Sequence, residues 1–157
     1  MTTQISAIPA VIDYLVATLT AALPDVQVLD GPGLSDESVS DLLFIGVDDP
    51  DGDSAPTSAE ATSDWSALGA RQRREDIVVH CAAVSWSGDD VVKVVRDAAF
   101  GTVGAVERAI VADPTLGGAV QYATFGGVSA VRQNTSTEGV EAWALFTVQA
   151  RARLTAT

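Results

Sequence analysis

The segment that most constrains this chain's fold lies near its C-terminus. From Val140 to Leu154, Val140, Ala142, Ala144, Phe146, Val148, Ala150, Ala152 and Leu154 alternate without a slip with Glu141, Trp143, Leu145, Thr147, Gln149, Arg151 and Arg153. Side chains of a strand point alternately to its two faces, so the first set forms one continuous apolar row and the second a mixed one. The alternation holds for 15 residues, whereas an ordinary strand has about 5–6. The chain therefore needs a sheet with one face packed on a core. It also gives Trp143 and Leu145 an outer face, where an apolar pair marks a subunit interface.

Two helices are available to cover the inner face. Ile5, Ile8, Ile12, Leu15, Leu19 and Leu23 follow the spacing of an amphipathic helix, with Pro9 in its first turn and Pro24 at its end. Val92, Val95, Ala99, Val103, Val106 and Ile110 form a second stripe. Asp89 or Asp90 is its expected N-cap, and Asp113-Pro114 its stop. Gly101 and Gly104 within it suggest close packing on the sheet, or a kink.

The other strands are shorter signals. Val26 to Leu29 ends at the turn Asp30-Gly31-Pro32, and Leu42 to Val47 is apolar throughout. A longer strand runs from about Ile77 to Trp86. Ala119 to Arg132 is expected to carry a bulge at Gly126-Gly127, with residues 134–139 connecting it to the last strand. Residues 48–64 hold no large apolar side chain and read as one long acidic loop. The expected fold is α+β: a mostly antiparallel sheet of about five strands, two helices on one face, and one domain over residues 1–157.

Composition narrows the function. The net charge of −12 opposes general binding to nucleic acid phosphates. Residues 1–70 carry 12 acidic side chains and no Lys or Arg, and all nine basic residues lie from Arg71 to Arg153. Such a split suits head-to-tail association, with Arg71, Arg73, Arg74, Arg151 and Arg153 meeting the acidic half of a neighbour. No segment is long and apolar enough for a membrane helix, and no basic residue precedes the first apolar run as in a secretory signal, so no membrane partner is expected.

Chemistry finds little material. Cys81 is the single cysteine, which excludes an intrachain disulfide, and the single histidine, His80, is its neighbour. On a strand the two point to opposite faces, so they do not make a catalytic pair. Asp48, Asp49, Asp51 and Asp53 fall short of a calcium loop, because Gly52 comes too early for the EF-hand spacing. Phosphate loops and nucleophile elbows are absent from the sequence. The expectation is therefore no catalytic residue, no metal site and no cofactor.

In order and spacing, several of these features resemble the tail terminator proteins of long-tailed (siphovirus-type) actinobacteriophages. They are Asp30-Gly31-Pro32, Gly46-Val47-Asp48-Asp49, the Trp65 to Gly69 segment, Glu75 to Cys81, Ser87-Gly88, Asp113-Pro114-Thr115-Leu116-Gly117 and the final Gly139 to Leu154 strand. The likeness spans nearly the whole chain. It implies a non-enzymatic virion subunit forming a hexameric ring on the tail tube, where it ends tube polymerisation and offers a surface to the head–tail connector or stopper protein. The expected location is the tail or neck of the virion, after assembly in the host cytoplasm. Surplus acid would let DNA pass the channel without specific binding. The alternatives are another neck or tail component, such as a head-completion or tube protein, and a small monomeric ligand-binding domain.

Overall fold

A computed structural model describes residues 5–33, 38–50 and 52–155. The elements in chain order are α1 (Ile8–Ala22), β1 (Gln27–Asp30), β2 (Asp41–Ile45), β3 (Ala59–Trp65), β4 (Gln72–Ser87), α2 (Val92–Ala112), β5 (Tyr122–Ser136) and β6 (Gly139–Thr155). The architecture is α+β, one six-stranded sheet with both helices packed against it.

β4 and β6 form its spine, paired antiparallel along their whole length from Gln72↔Thr155 to Ser87↔Val140. β5 returns antiparallel on the far side of β6, and β1 lies parallel to β2. The alternation read in residues 140–154 is realised: Ala144, Phe146, Val148, Ala150, Ala152 and Leu154 are all buried in the core under the helices. From β4, Ile77, Val79, Cys81 and Ala83 join them. α1 contributes Val11, Leu15 and Leu19, and α2 Ala99, Val103, Val106 and Ile110. The alanines of β6 keep this floor low where the helices lie on it. Phe146 fills the centre, its ring 5.8 Å from that of Phe125.

Several sequence expectations change in detail. Residues 48–64 are not one loop, because 59–65 form β3. Apart from Trp65 at its end, this strand has no large apolar side chain, and it is exposed from Glu60 onward. Its ordering rests on backbone hydrogen bonds to β4, which begins at Gln72 rather than Ile77. β2 and β3 pair with consecutive stretches of the same edge of β4, 81–85 and 73–79, so they are one strand interrupted by residues 46–58. His80 closes the interruption: its carbonyl accepts from Gly46 and Val47 (2.7 and 2.9 Å), and its N–H donates to Ser58 (3.0 Å). Gly46 has φ +83°, a left-handed conformation that lets the chain leave the sheet.

In α1 the buried seam is Val11, Leu15 and Leu19, with Ile8 and Ile12 on its flank and Ile5 exposed ahead of the helix. α2 is capped by Val91 without a side-chain bond, not by Asp89 or Asp90. Gly101 faces open space and Gly104 meets only the Arg108 side chain, so neither marks a close approach to the sheet. The bulge at Gly126-Gly127 is present as a register shift between Phe125 and Val128. β5 runs on to Ser136, which shortens the expected connection to Thr137-Glu138.

The outer face, opposite the helices, is divided. Near the Ser87 end of β4, Leu42, Phe44, Val47, Ala82, Val84 and Leu145 form a second small core, with Leu29 and Trp143 packed against it. The chain after β2 lies over this end. Val47 is fully buried there, and Asp49 reaches Arg132 on β5 at 2.8 Å. β4 and β6 separate β2 from β5, so that ion pair spans the face. Near the Gln72 end the outer face is open and polar.

Candidate functional site

Cys81 is buried, and the loss of solvation pushes its thiol up to about 12. His80 points to the other face, where its Nε2 lies 3.1 Å from Glu60 on β3. A thiol held protonated on one face and an imidazole on the other cannot act together. Of the acidic run at 48–53, Asp48 accepts from the Thr57 N–H (2.8 Å) and Asp49 holds Arg132. Asp51 lies outside the described residues. Among the described residues, no group of three His, Cys, Asp or Glu side chains is placed to hold a metal, and no helix is long and apolar enough to cross a membrane.

The structure brings the expected interface arginines to the Gln72 end of the sheet, but not all of them remain available. On the outer face Arg74 contacts Asp64 of β3 (3.1 Å) and Asp76 (3.3 Å), and Asp76 in turn accepts from Arg151 of β6 (2.6 Å). The Arg151 guanidinium also lies over the Tyr122 ring of β5, 5.6 Å from its centre. One ladder therefore laces four strands, and its first purpose is internal. The Arg151 hydrogen bond holds the Asp76 carboxyl below its ordinary pKa, and Asp76 holds Arg151 above its own. Arg74 and Arg153 sit directly opposite each other, a like-charged cross-strand pair that the Asp64 and Asp76 carboxylates offset.

Arg73 points the other way. Its guanidinium donates to the Ile5 carbonyl and lies 5.7 Å from the centre of the Trp65 ring. Arg71 and Arg153 are exposed and make no ion pair among the described residues. Leu145, expected at an interface, is only 7% exposed and packs inside the second core. It shares that core with Val47, the last residue of the apolar run read as a strand, and the sequence did not show that the two would cluster on the outer face. Trp143 is half-buried beside it, its indole N–H donating to Glu141.

Two features not expected from sequence lie at opposite ends of β4. At the Gln72 end, residues 66–71 form the β3–β4 turn. The Ala70 N–H donates to the Ala67 carbonyl (3.0 Å), and Gly69 adopts φ +78°. This leaves Leu68 fully exposed at the apex and Trp65 53% exposed below it. At the Ser87 end, a pocket of ≈ 340 Å³ is lined by Val39, Leu42, Trp86, Glu138, Val140 and Glu141 among others. Trp86 is 41% exposed there, its indole N–H bonded to the Val39 carbonyl (3.4 Å). The turn was visible as a Trp-x-x-Leu-Gly segment, but its protrusion depends on β3, which the sequence hid. No family model matches the chain, and no curated protein matches its sequence.

Proposed function

We propose that the chain is a non-enzymatic structural subunit that assembles with copies of itself into a ring capping a phage tail tube. On this reading the ring ends tube polymerisation and presents its other side to the head–tail connector. The observation that carries the proposal is the unlike character of the two ends of the sheet: an arginine-flanked apolar turn at one, an acid-rimmed apolar pocket at the other. Surfaces of this kind suit a heterologous contact, repeated from copy to copy, which closes when the rotation between copies divides a full turn.

The resemblance to actinobacteriophage tail terminators supports the particular role. Its motifs fall at turns and strand ends that set the path of the chain. Asp30-Gly31-Pro32 ends β1, Gly46 to Asp49 leaves β2 for the outer face, Trp65 to Gly69 leads into the exposed apex, and Asp113 to Gly117 follows α2. The role is tested by electron microscopy of particles assembled without this chain. Tubes of uncontrolled length are expected; tubes of normal length that lack heads would point instead to a head-completion protein.

A further inference from the structure

Resting on the ring reading, we infer that the apex of the β3–β4 turn of one copy, Leu68 with Trp65 and Arg71, inserts into the pocket at the Ser87 end of the next copy. A fully exposed leucine beside a half-exposed tryptophan is apolar surface that water solvates poorly. It is held on a closed turn joining two paired strands, so little order is lost when it docks. The pocket offers a matching apolar floor, Leu42, Trp86 and Val140.

Charge selects the occupant. Arg71 in the turn and Arg153 in the groove beside Trp65 carry positive charge outside any ion pair among the described residues, while Glu138 and Glu141 line the pocket and Asp89 and Asp90 follow the strand end beside it. The apex of one copy is thus complementary to the pocket of another and repelled by a second apex. The two sites sit at opposite ends of a 16-residue strand, about 50 Å apart at the usual rise per residue. One copy cannot satisfy itself, and each docked copy still offers one apex and one pocket. Such a contact repeats from copy to copy and gives a ring where the rotation between copies divides a full turn.

The test uses the full chain and the Leu68→Asp variant, compared by light scattering after gel filtration and by far-ultraviolet circular dichroism. Leu68 contacts nothing within its own subunit that folding needs, so the variant is expected to keep its spectrum and melting temperature. Its self-association should weaken by at least about 30-fold, the loss of a central anchoring residue. A charge exchange gives the second arm: Arg71→Glu alone should weaken assembly, and Arg71→Glu with Glu138→Arg should restore it. A wild-type multimer matched by an equally stable Leu68→Asp multimer would overturn this contact and leave the ring reading standing. A monomeric wild type would overturn both.

Discussion

Glu75 shows how one side chain can fix an element from a distance. It is a buried carboxylate on the helix-facing side of β4, and it accepts from the Ala7 N–H (2.8 Å) and the Ser6 hydroxyl (3.1 Å) at the start of α1. A negative charge at that end also meets the positive pole of the helix. Glu75→Ala leaves a buried N–H without its acceptor and should cost about 1–3 kcal/mol in chemical denaturation. Glu75→Gln keeps an acceptor oxygen and should cost less. Asp113 does a similar task after α2, accepting from the Thr115 hydroxyl (2.7 Å), the Gly117 N–H (2.8 Å) and Tyr14 (3.2 Å), and these bonds hold its pKa down. Asp76 is held down by Arg151. Both carboxyls have folded values below the unfolded one of about 3.9, so their contribution is present above that pH and lost as pH falls through the folded values. Melting temperature should therefore fall below about pH 4, and Arg151→Met should flatten that decline. Cys81 belongs to the opposite case: with its thiol buried and raised to about 12, it should react with a thiol reagent only after unfolding.

At the scale of elements, legibility followed apolar periodicity. β6 could be read to within a residue because its inner row is unbroken, and α2 because its seam keeps helical spacing over five turns. Phe146→Ala, at the centre of that inner row, should cost about 3–5 kcal/mol. β3 could not be read. Ala59, Ala61 and Ser63 bury little, and what orders the strand is the free edge of β4, a property of a distant segment. The stripe read for α1 packs on the sheet through Leu15 and Leu19, with Ile8, Ile12 and Leu23 at its flank, but it left out Val11, which is fully buried. The aspartate-rich stretch from residue 48 looked like solvated loop, yet Asp49 ties it to Arg132 across the outer face, next to Val47 in the second core. Arg132→Ala should speed amide hydrogen exchange at residues 47–50 while changing global stability by no more than about 1 kcal/mol, the usual worth of an exposed ion pair.

For the whole molecule, the charge split seen along the sequence becomes a split between ends of one sheet, but not in the simple form of basic half against acidic half. Arg74 and Arg151 are engaged by Asp64 and Asp76 of the same chain, which reduces the share of the positive end free for a neighbour to Arg71 and Arg153. Trp143 and Leu145, the interface residues that alternation suggested, lie at the covered end of the outer face. The exposed large apolar side chains include Trp65, Leu68 and Trp86, together with others on α2 and β5 such as Phe100 and Val131, and none of them lies on β6.

Self-assembly through unlike ends is the claim on which the functional reading depends, and the mass of the purified full chain in solution tests it most directly. Multi-angle light scattering across a concentration series, with negative-stain images of the same fractions, is expected to show one closed multimer with ring-shaped particles. A single species of 16.2 kDa at every concentration would contradict it.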